Sequence, residues 1–407
     1  MAYPWIEGGV TAAKGFTASG IHCGIREGKS KPDLAMIYSG TPCSAAASYT
    51  QNLVKGAPIQ VTRKHLENGV AQAVICNSGN ANTCNADGEE KADAMCRIAA
   101  GALGIRPEDV IVASTGVIGR TLPLSPIENA AQALADSLTA DGSEQAARAI
   151  MTTDTILKEA AVSVDGVNGK TVVIGGIAKG SGMIHPNMAT MLGFLTTDAK
   201  IAPDVLSKAL HEAVNDTFNM VSVDGDTSTN DMVAVLASGR AENGPIEEGG
   251  EAYARFAAGL KQVCTALARL VAKDGEGATK LLVCEVGGAL DDAAARTVAK
   301  SVICSSLVKT AMFGADANWG RVLCAIGYSG AKTDIHGVDV SFRSKAGEIS
   351  VCKNGAGVAF SEELAKKILL EDEIGILVGL HDGAARAAAY GCDLTYGYVK
   401  INGDYRT

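Results

Sequence analysis

Aromatic residues are scarce in this chain: Phe, Trp and Tyr together make up 4% of its 407 residues. A surface that binds single-stranded nucleic acid stacks bases on a row of aromatics, so the shortage argues against that role. Basic charge is not in excess either. A net charge of −9 lacks the footprint of a nucleic-acid binder. No run of about eighteen apolar residues occurs, and no transmembrane helix or membrane partner is expected. The opening MAYPWIEGGVTAAKGFTASG has no basic stretch followed by an apolar one, so no signal peptide is read there. CxxC is absent among the eleven cysteines. Cys264, Cys284, Cys304 and Cys324 recur every twenty residues, but their flanks share only apolar character. They read as small buried hydrophobes in a reducing compartment, and the cytoplasm is the expected location.

Familiar cofactor motifs fail on inspection. A phosphate loop needs a glycine five residues before its GK glycine, and the two candidates carry Cys23 and Val164 there. GSGMIH begins like a dinucleotide fingerprint but has His185 in place of the third glycine. The six histidines show neither HxxxH nor HxxEH, so no metal is expected. No GxSxG elbow is present, since GSG centres on Ser181 without the required spacing.

What remains is an enzyme-like composition, 47% apolar and 20% charged, on a chain too long for one ordinary core. Helical spacing marks SPIENAAQALADSL, with Ser125 as N-cap and Glu128 closing a capping box, and also PDVLSKALHEAVND, the long EAYARFAAGLKQVCTALARLVAKDG, DDAAARTVAKSV and SEELAKKILLED. Strand-like runs are VAQAVICNSG, DVIVASTG, KTVVIGGIA, MVAVLASG, TKLLVCEVGG, RVLCAIGYSG, VDVSF and TYGYVKIN. Many are apolar on both faces, so the sheets should be covered on both sides. Helices and strands do not alternate strictly, which favours an α+β layered sandwich over a doubly wound sheet. GRAENGPIEEGG reads as a surface loop.

One stretch, KGSGMIHPNMATMLGFLTTDA, sets Thr190 between a glycine-rich loop and an apolar run. A threonine hydroxyl is a poor nucleophile and needs a base. If the bond between Ala189 and Thr190 is cut, the new α-amine, with a pKa of about 7.7–8.0, can serve. The hydroxyl can make that cut itself by attacking the preceding carbonyl. Glycines at 180 and 182 permit an irregular approach. Spacing alone leaves the alternative of a threonine that merely begins a strand.

KGSGMIHPNMATML resembles the self-cleaving segment of the ornithine acetyltransferase family, the bifunctional glutamate N-acetyltransferases of arginine biosynthesis. STGVIGRTLP, IMTTDT, VDGDTSTND, KDGEGATK, GADANWGR and the final INGDYRT match in order along the whole chain. The resemblance implies a four-layer α/β/β/α-type sandwich shared by two chains, residues 1–189 and 190–407, assembled as a dimer of heterodimers. It implies cleavage between Ala189 and Thr190, and a ping-pong transfer of acetyl from N-acetylornithine through Thr190 to glutamate. Thr115 and Gly116 fall on the family's oxyanion hole. Lys179, Glu276, Asn402, Thr407 and Thr190 itself fall on substrate positions, as does Thr153 or its neighbour Thr152. His185 is read as loop structure. No cofactor is implied; acetyl-CoA is a second acetyl donor for some members, and the motifs do not discriminate. A self-activated amidohydrolase or aminopeptidase is the alternative enzyme, and an uncut small-molecule binding protein the non-enzymatic one.

Overall fold

The computed structural model describes residues 2–26, 28–185 and 191–404. Two mixed sheets organise them. The first has nine strands. In spatial order eight of these are Trp5–Ile6, Glu159–Val167, Lys170–Lys179, Leu192–Thr197, Met232–Ala237, Leu34–Tyr49, Val70–Asn77 and Val110–Ser114, and Phe16–Ile21 also pairs with Leu34–Tyr49. The second has seven. Its order is Ala356–Gly357, Gly347–Lys353, Asp339–Ser344, Glu373–Gly379, Leu281–Ala289, Ala385–Cys392 and Val221–Ser222. Neither sheet is built from repeating strand–helix–strand units, and the α+β sandwich expected from the sequence is what forms.

The centre of the first sheet is apolar on both faces: Leu192–Thr197 and Met232–Ala237 are buried at every position. That explains why these runs show no alternation in the sequence. Helix Glu251–Lys273 lies against Glu159–Val167 and Lys170–Lys179 and also touches Ala385–Cys392 of the second sheet. Its buried stripe, Tyr253, Phe256, Leu260, Val263, Leu267 and Val271, follows helical spacing. Each large apolar side chain so buried contributes about 1.5–3 kcal/mol. On the second sheet, helix Asp292–Cys304 covers Leu281–Ala289 and Ala385–Cys392. It starts where the Asp291 side chain accepts the Ala294 amide at 2.7 Å.

Two expected strands are helices. RVLCAIGYSG lies in helix Trp319–Gly327, capped by Asn318, whose side chain accepts the Arg321 amide. TYGYVKIN lies in helix Tyr396–Asp404. Short apolar runs do not separate the two structures by periodicity. Helix Ser125–Asp136 also begins one residue earlier than read, with Leu124 at the capping position and no side-chain cap bond, so the Ser125 capping box does not form. No helix among the described residues is long and apolar enough to cross a membrane. The described cysteines are all free thiols, most of them buried, with Cys84 and Cys324 exposed.

Candidate active site

Strand Val110–Ser114 ends beside the parallel strand Val70–Asn77, and Asn77 organises the turn between them. Its amide nitrogen donates to Ser114 Oγ at 2.7 Å, and its side-chain oxygen accepts the Gly79 and Asn80 amides at 3.2 and 3.0 Å. The Thr115 amide donates to the Asn77 carbonyl at 2.9 Å. From the other side Asn230 donates to the carbonyls of Ala81 and Ser114 at 2.6 and 3.0 Å. Within this bracket Gly116 has φ +132°, and a Cβ on it would lie 2.6 Å from the Gly79 carbonyl carbon. Only glycine fits. Gly116→Ala should force this turn apart and cost about 1–3 kcal/mol of stability, read from urea unfolding.

Lys179 closes the strand Lys170–Lys179 and is buried, with Nζ 3.4 Å from Thr115 Oγ1. It faces Asp154. Burial alone would raise the Asp154 carboxyl, but Lys179, Lys158 and the Gly180 amide outweigh it and hold the group down to about 2. Gly180 donates to Asp154 Oδ1 at 2.7 Å, and the Thr152 amide donates to Oδ2 at 2.9 Å. Behind them Lys158 is wholly buried between Asp154 at 2.7 Å and Asp274 at 2.5 Å. Asp274 in turn accepts the Thr155 amide at 3.0 Å. This ion triad locks the loop carrying Thr152 and Thr153 to the turn carrying Glu276. Lys158→Met would strand two buried anions and should cost about 3–5 kcal/mol of stability, read from urea unfolding.

Glu276 is buried, and its amide donates to the Ser181 carbonyl at 3.0 Å. A Cβ on Gly182 would lie 2.3 Å from the Glu276 carboxylate, so glycine there lets loop and acid meet. Asn402, on helix Tyr396–Asp404, donates to Glu276 Oε2 at 2.8 Å. Asp224 accepts the Met183 and Ile184 amides at 2.6 and 2.8 Å and the Tyr398 hydroxyl at 3.3 Å; burial pushes its carboxyl up.

These segments surround one cavity of about 420 Å³. Thr115, Gly116, Thr152, Thr153, Lys179, Glu276 and Asn402 all line it, joined by Asp224, Asp226, Asp231 and Met191. Both Thr152 and Thr153 reach it, so the structure brings together the two residues between which the sequence left the choice open. Ala189, Thr190 and Thr407 lie outside the described residues; Met191, the residue that follows Thr190, is on the cavity wall. His185 is not among the lining residues. Its Nδ1 lies 3.1 Å from Ser222 Oγ and 3.4 Å from Cys304 Sγ. Burial and then Lys300 lower its imidazole to about 4, so it is neutral at physiological pH. Sequence reasoning missed Asp154, Lys158, Asp224, Asp231 and Asp274. Four of these five acids and bases sit inside or beside the quoted motifs, and that position was the available signal.

A family model described as ArgJ family matches residues 17–407. The arginine biosynthesis bifunctional protein ArgJ of Symbiobacterium thermophilum is 52% identical over 99% of this chain and 100% of its own length. The protein of that name from Caldanaerobacter subterraneus is 50% identical over 99% of each. A solved ornithine acetyltransferase from Mycobacterium tuberculosis, complexed with ornithine, is 34% identical, covering 46% of this chain and 99% of that one, with a TM-score of 0.42. The chain is an enzyme, an acyltransferase. It belongs to the ArgJ family.

Proposed function

We propose that this acyltransferase moves the acetyl group of N-acetylornithine to glutamate through an acetyl ester on Thr190, after the chain cuts itself between Ala189 and Thr190. In the cut, the Thr190 hydroxyl attacks the Ala189 carbonyl, the amide becomes an ester, and water hydrolyses the ester. The products are a carboxylate on Ala189 and a free amine on Thr190. That amine takes the hydroxyl proton as Thr190 attacks the acetyl carbonyl, and the collapsing tetrahedral intermediate releases ornithine. Glutamate then repeats the attack on the ester. Thr115 and Gly116 would stabilise both oxyanions.

The observation that carries this reading is the cavity itself. It is lined by the Thr115–Gly116 turn, the buried Lys179 and several acidic side chains, and Met191 is on its wall. Lys179 suits a substrate α-carboxylate, while Glu276, with Asp224 and Asp226 nearby, suits the side-chain ammonium of ornithine.

Sheet order supports two chains that stay together. Leu192–Thr197 and Met232–Ala237, from residues 190–407, sit between Lys170–Lys179 and Leu34–Tyr49, from residues 1–189. The two fragments share backbone ladders on both sides and cannot part without breaking the sheet. Pairing of two such heterodimers belongs to the same proposal, and acetyl-CoA would be an additional donor.

Isotope exchange tests the ester intermediate. With N-acetylornithine and labelled ornithine alone, label should enter N-acetylornithine without any glutamate. Exchange that starts only when glutamate is added would contradict the two-step route.

A further inference from the structure

Arg26 lies in the turn after the strand Phe16–Ile21, and one buried acid, Asp33, holds that turn. Asp33 accepts the Cys23 amide on Oδ1 at 2.6 Å and the Arg26 amide on Oδ2 at 3.1 Å. Its own carbonyl accepts the Ser78 amide at 3.0 Å. The backbone at Arg26 is therefore fixed before the side chain leaves it. That side chain runs along Gly79, where a Cβ would lie 2.5 Å from Ile25 Cγ2 and 3.1 Å from Arg26 Cγ. Gly79 is also the residue on which Gly116 rests: a Cβ on Gly116 would lie 2.6 Å from the Gly79 carbonyl carbon. Contact thus runs from Arg26 through Gly79 to the turn at Gly116.

The guanidinium joins that turn to a second segment of the cavity wall. Its Nε donates to the Ser78 carbonyl and its Nη2 to Ser78 Oγ, both at 2.6 Å, and Nη2 also donates to the Met151 carbonyl. Ser78 Oγ in turn donates to the Ala149 carbonyl. Met151 precedes Thr152, and the peptide between them is held at both ends. Arg26 takes its carbonyl, while its N–H donates to Asp154 Oδ2 at 2.9 Å. Thr115, Gly116, Thr152 and Thr153 line the cavity, whereas Arg26 is not among the lining residues and bears on them from behind. Acceptors on two chain segments suit a planar fork of N–H donors; a lysine ammonium, one point on a flexible stem, cannot span them in the same way.

We propose that Arg26 is a positioning residue for acetyl transfer: its guanidinium ties the Ser78–Gly79 turn, on which Gly116 rests, to the Met151–Thr152 peptide, and so keeps the oxyanion turn and the substrate loop in register. The proposal rests on the reading of Thr115 and Gly116 as oxyanion donors to an acetyl group on Thr190. Such donors stabilise developing charge without reorganisation only when they are held in place beforehand. A misplacement of about 1 Å, made away from the chemistry, can cost about a hundredfold in rate. Ser78 and Met151 stand 52 and 125 positions from Arg26, so no motif spacing could show the bridge.

The test compares Arg26→Ala and Arg26→Lys with wild type, with kcat counted per cleaved chain. Arg26→Ala should lose about a hundredfold in kcat, with KM within about fivefold of wild type. Arg26→Lys keeps the charge and most of the stem and should still be about tenfold slow. Guanidinium chloride, far below the concentrations that unfold the protein, should restore Arg26→Ala by about tenfold and saturate, while potassium chloride at equal ionic strength should not. A brace needed only for folding would lower the urea midpoint, leave kcat of the folded chain alone and give no rescue. An unchanged kcat in Arg26→Ala, a loss that guanidinium does not relieve, or an Arg26→Lys as fast as wild type would overturn the proposal. Should Arg26→Ala fail to fold, Arg26→Lys decides: a lowered kcat at the wild-type urea midpoint supports the proposal, and a wild-type kcat overturns it. Acetyl trapping on wild type separates the two layers. An adduct on Thr190 together with indifferent Arg26 variants defeats only this proposal, whereas an adduct elsewhere defeats the nucleophile reading itself.

Discussion

Thr190→Ala is expected to leave one uncut chain with no measurable acetyl transfer, where the wild-type chain should give two bands on a denaturing gel. Both losses have one cause. Alanine has no hydroxyl to attack the Ala189 carbonyl, so no amine is released, and it has none to accept acetyl. The rest of the site should survive the change. The strands on either side of the segment, Lys170–Lys179 and Leu192–Thr197, pair along their length, and the Asn77 bracket around Gly116 is built from Ser114, Gly79 and Asn80, all distant from it in sequence. The variant should therefore unfold near the wild-type temperature and still bind ligand. Thr190→Ser should cut and turn over more slowly, since it keeps the hydroxyl and the amine. A Thr190→Ala protein that splits and transfers acetyl would exclude the assignment.

Lys179→Met should lower kcat/KM about a thousandfold or more. Lys179 is the one cation among the described residues lining the cavity, against the acids Asp224, Asp226, Asp231 and Glu276. Methionine fills the same volume without charge. The loss has two parts. A substrate carboxylate would enter a cavity of net negative charge, and truncating one partner of a buried charge pair typically costs about 2–5 kcal/mol. Asp154 would also lose one of the cations that keep it ionised, so the carboxyl should move upward. Its ionised form adds stability that is present above about pH 4 and disappears as pH falls through the folded-state value. With that value raised, the variant should lose stability at a higher pH than wild type does. Measuring KM and kcat separately, alongside urea midpoints from about pH 6 down to about pH 3, checks both parts.

Part of the first sheet was legible in the sequence, where its strands are continuous runs of β-branched and aliphatic residues; Trp5–Ile6, Phe16–Ile21, Leu34–Tyr49 and Glu159–Val167 were not read as strands. Val70–Asn77, Val110–Ser114, Lys170–Lys179 and Met232–Ala237 all coincide with runs read as strands. The final segment was not legible, for a physical reason. Tyr, Val and Ile favour strands in isolation, yet Tyr396–Asp404 is a helix because distant contacts make it one. The Thr395 hydroxyl accepts the Gly397 amide at 3.0 Å and donates to the Gly277 carbonyl at 2.6 Å, fastening the helix start to the Glu276 turn. That placement carries Asn402 to Glu276. The residues that the structure brings to the cavity, such as Thr115, Lys179, Glu276 and Asn402, were named through motif resemblance, and spacing alone would not have chosen them. The triad of Asp154, Lys158 and Asp274 escaped because it depends on contact between residues more than a hundred positions apart. Asp231 escaped because an acid before an apolar strand looks like ordinary punctuation until its burial is known.

The central claim is that the acetyl group rests on Thr190 between the two substrates. The most direct measurement is peptide mass spectrometry of enzyme quenched in acid after brief exposure to N-acetylornithine without glutamate. The account predicts a chain beginning at Thr190, with sequence TMLGFL and one acetyl group on its first residue, lost on adding glutamate before the quench. An uncut chain, or the acetyl group on any other side chain, would contradict it.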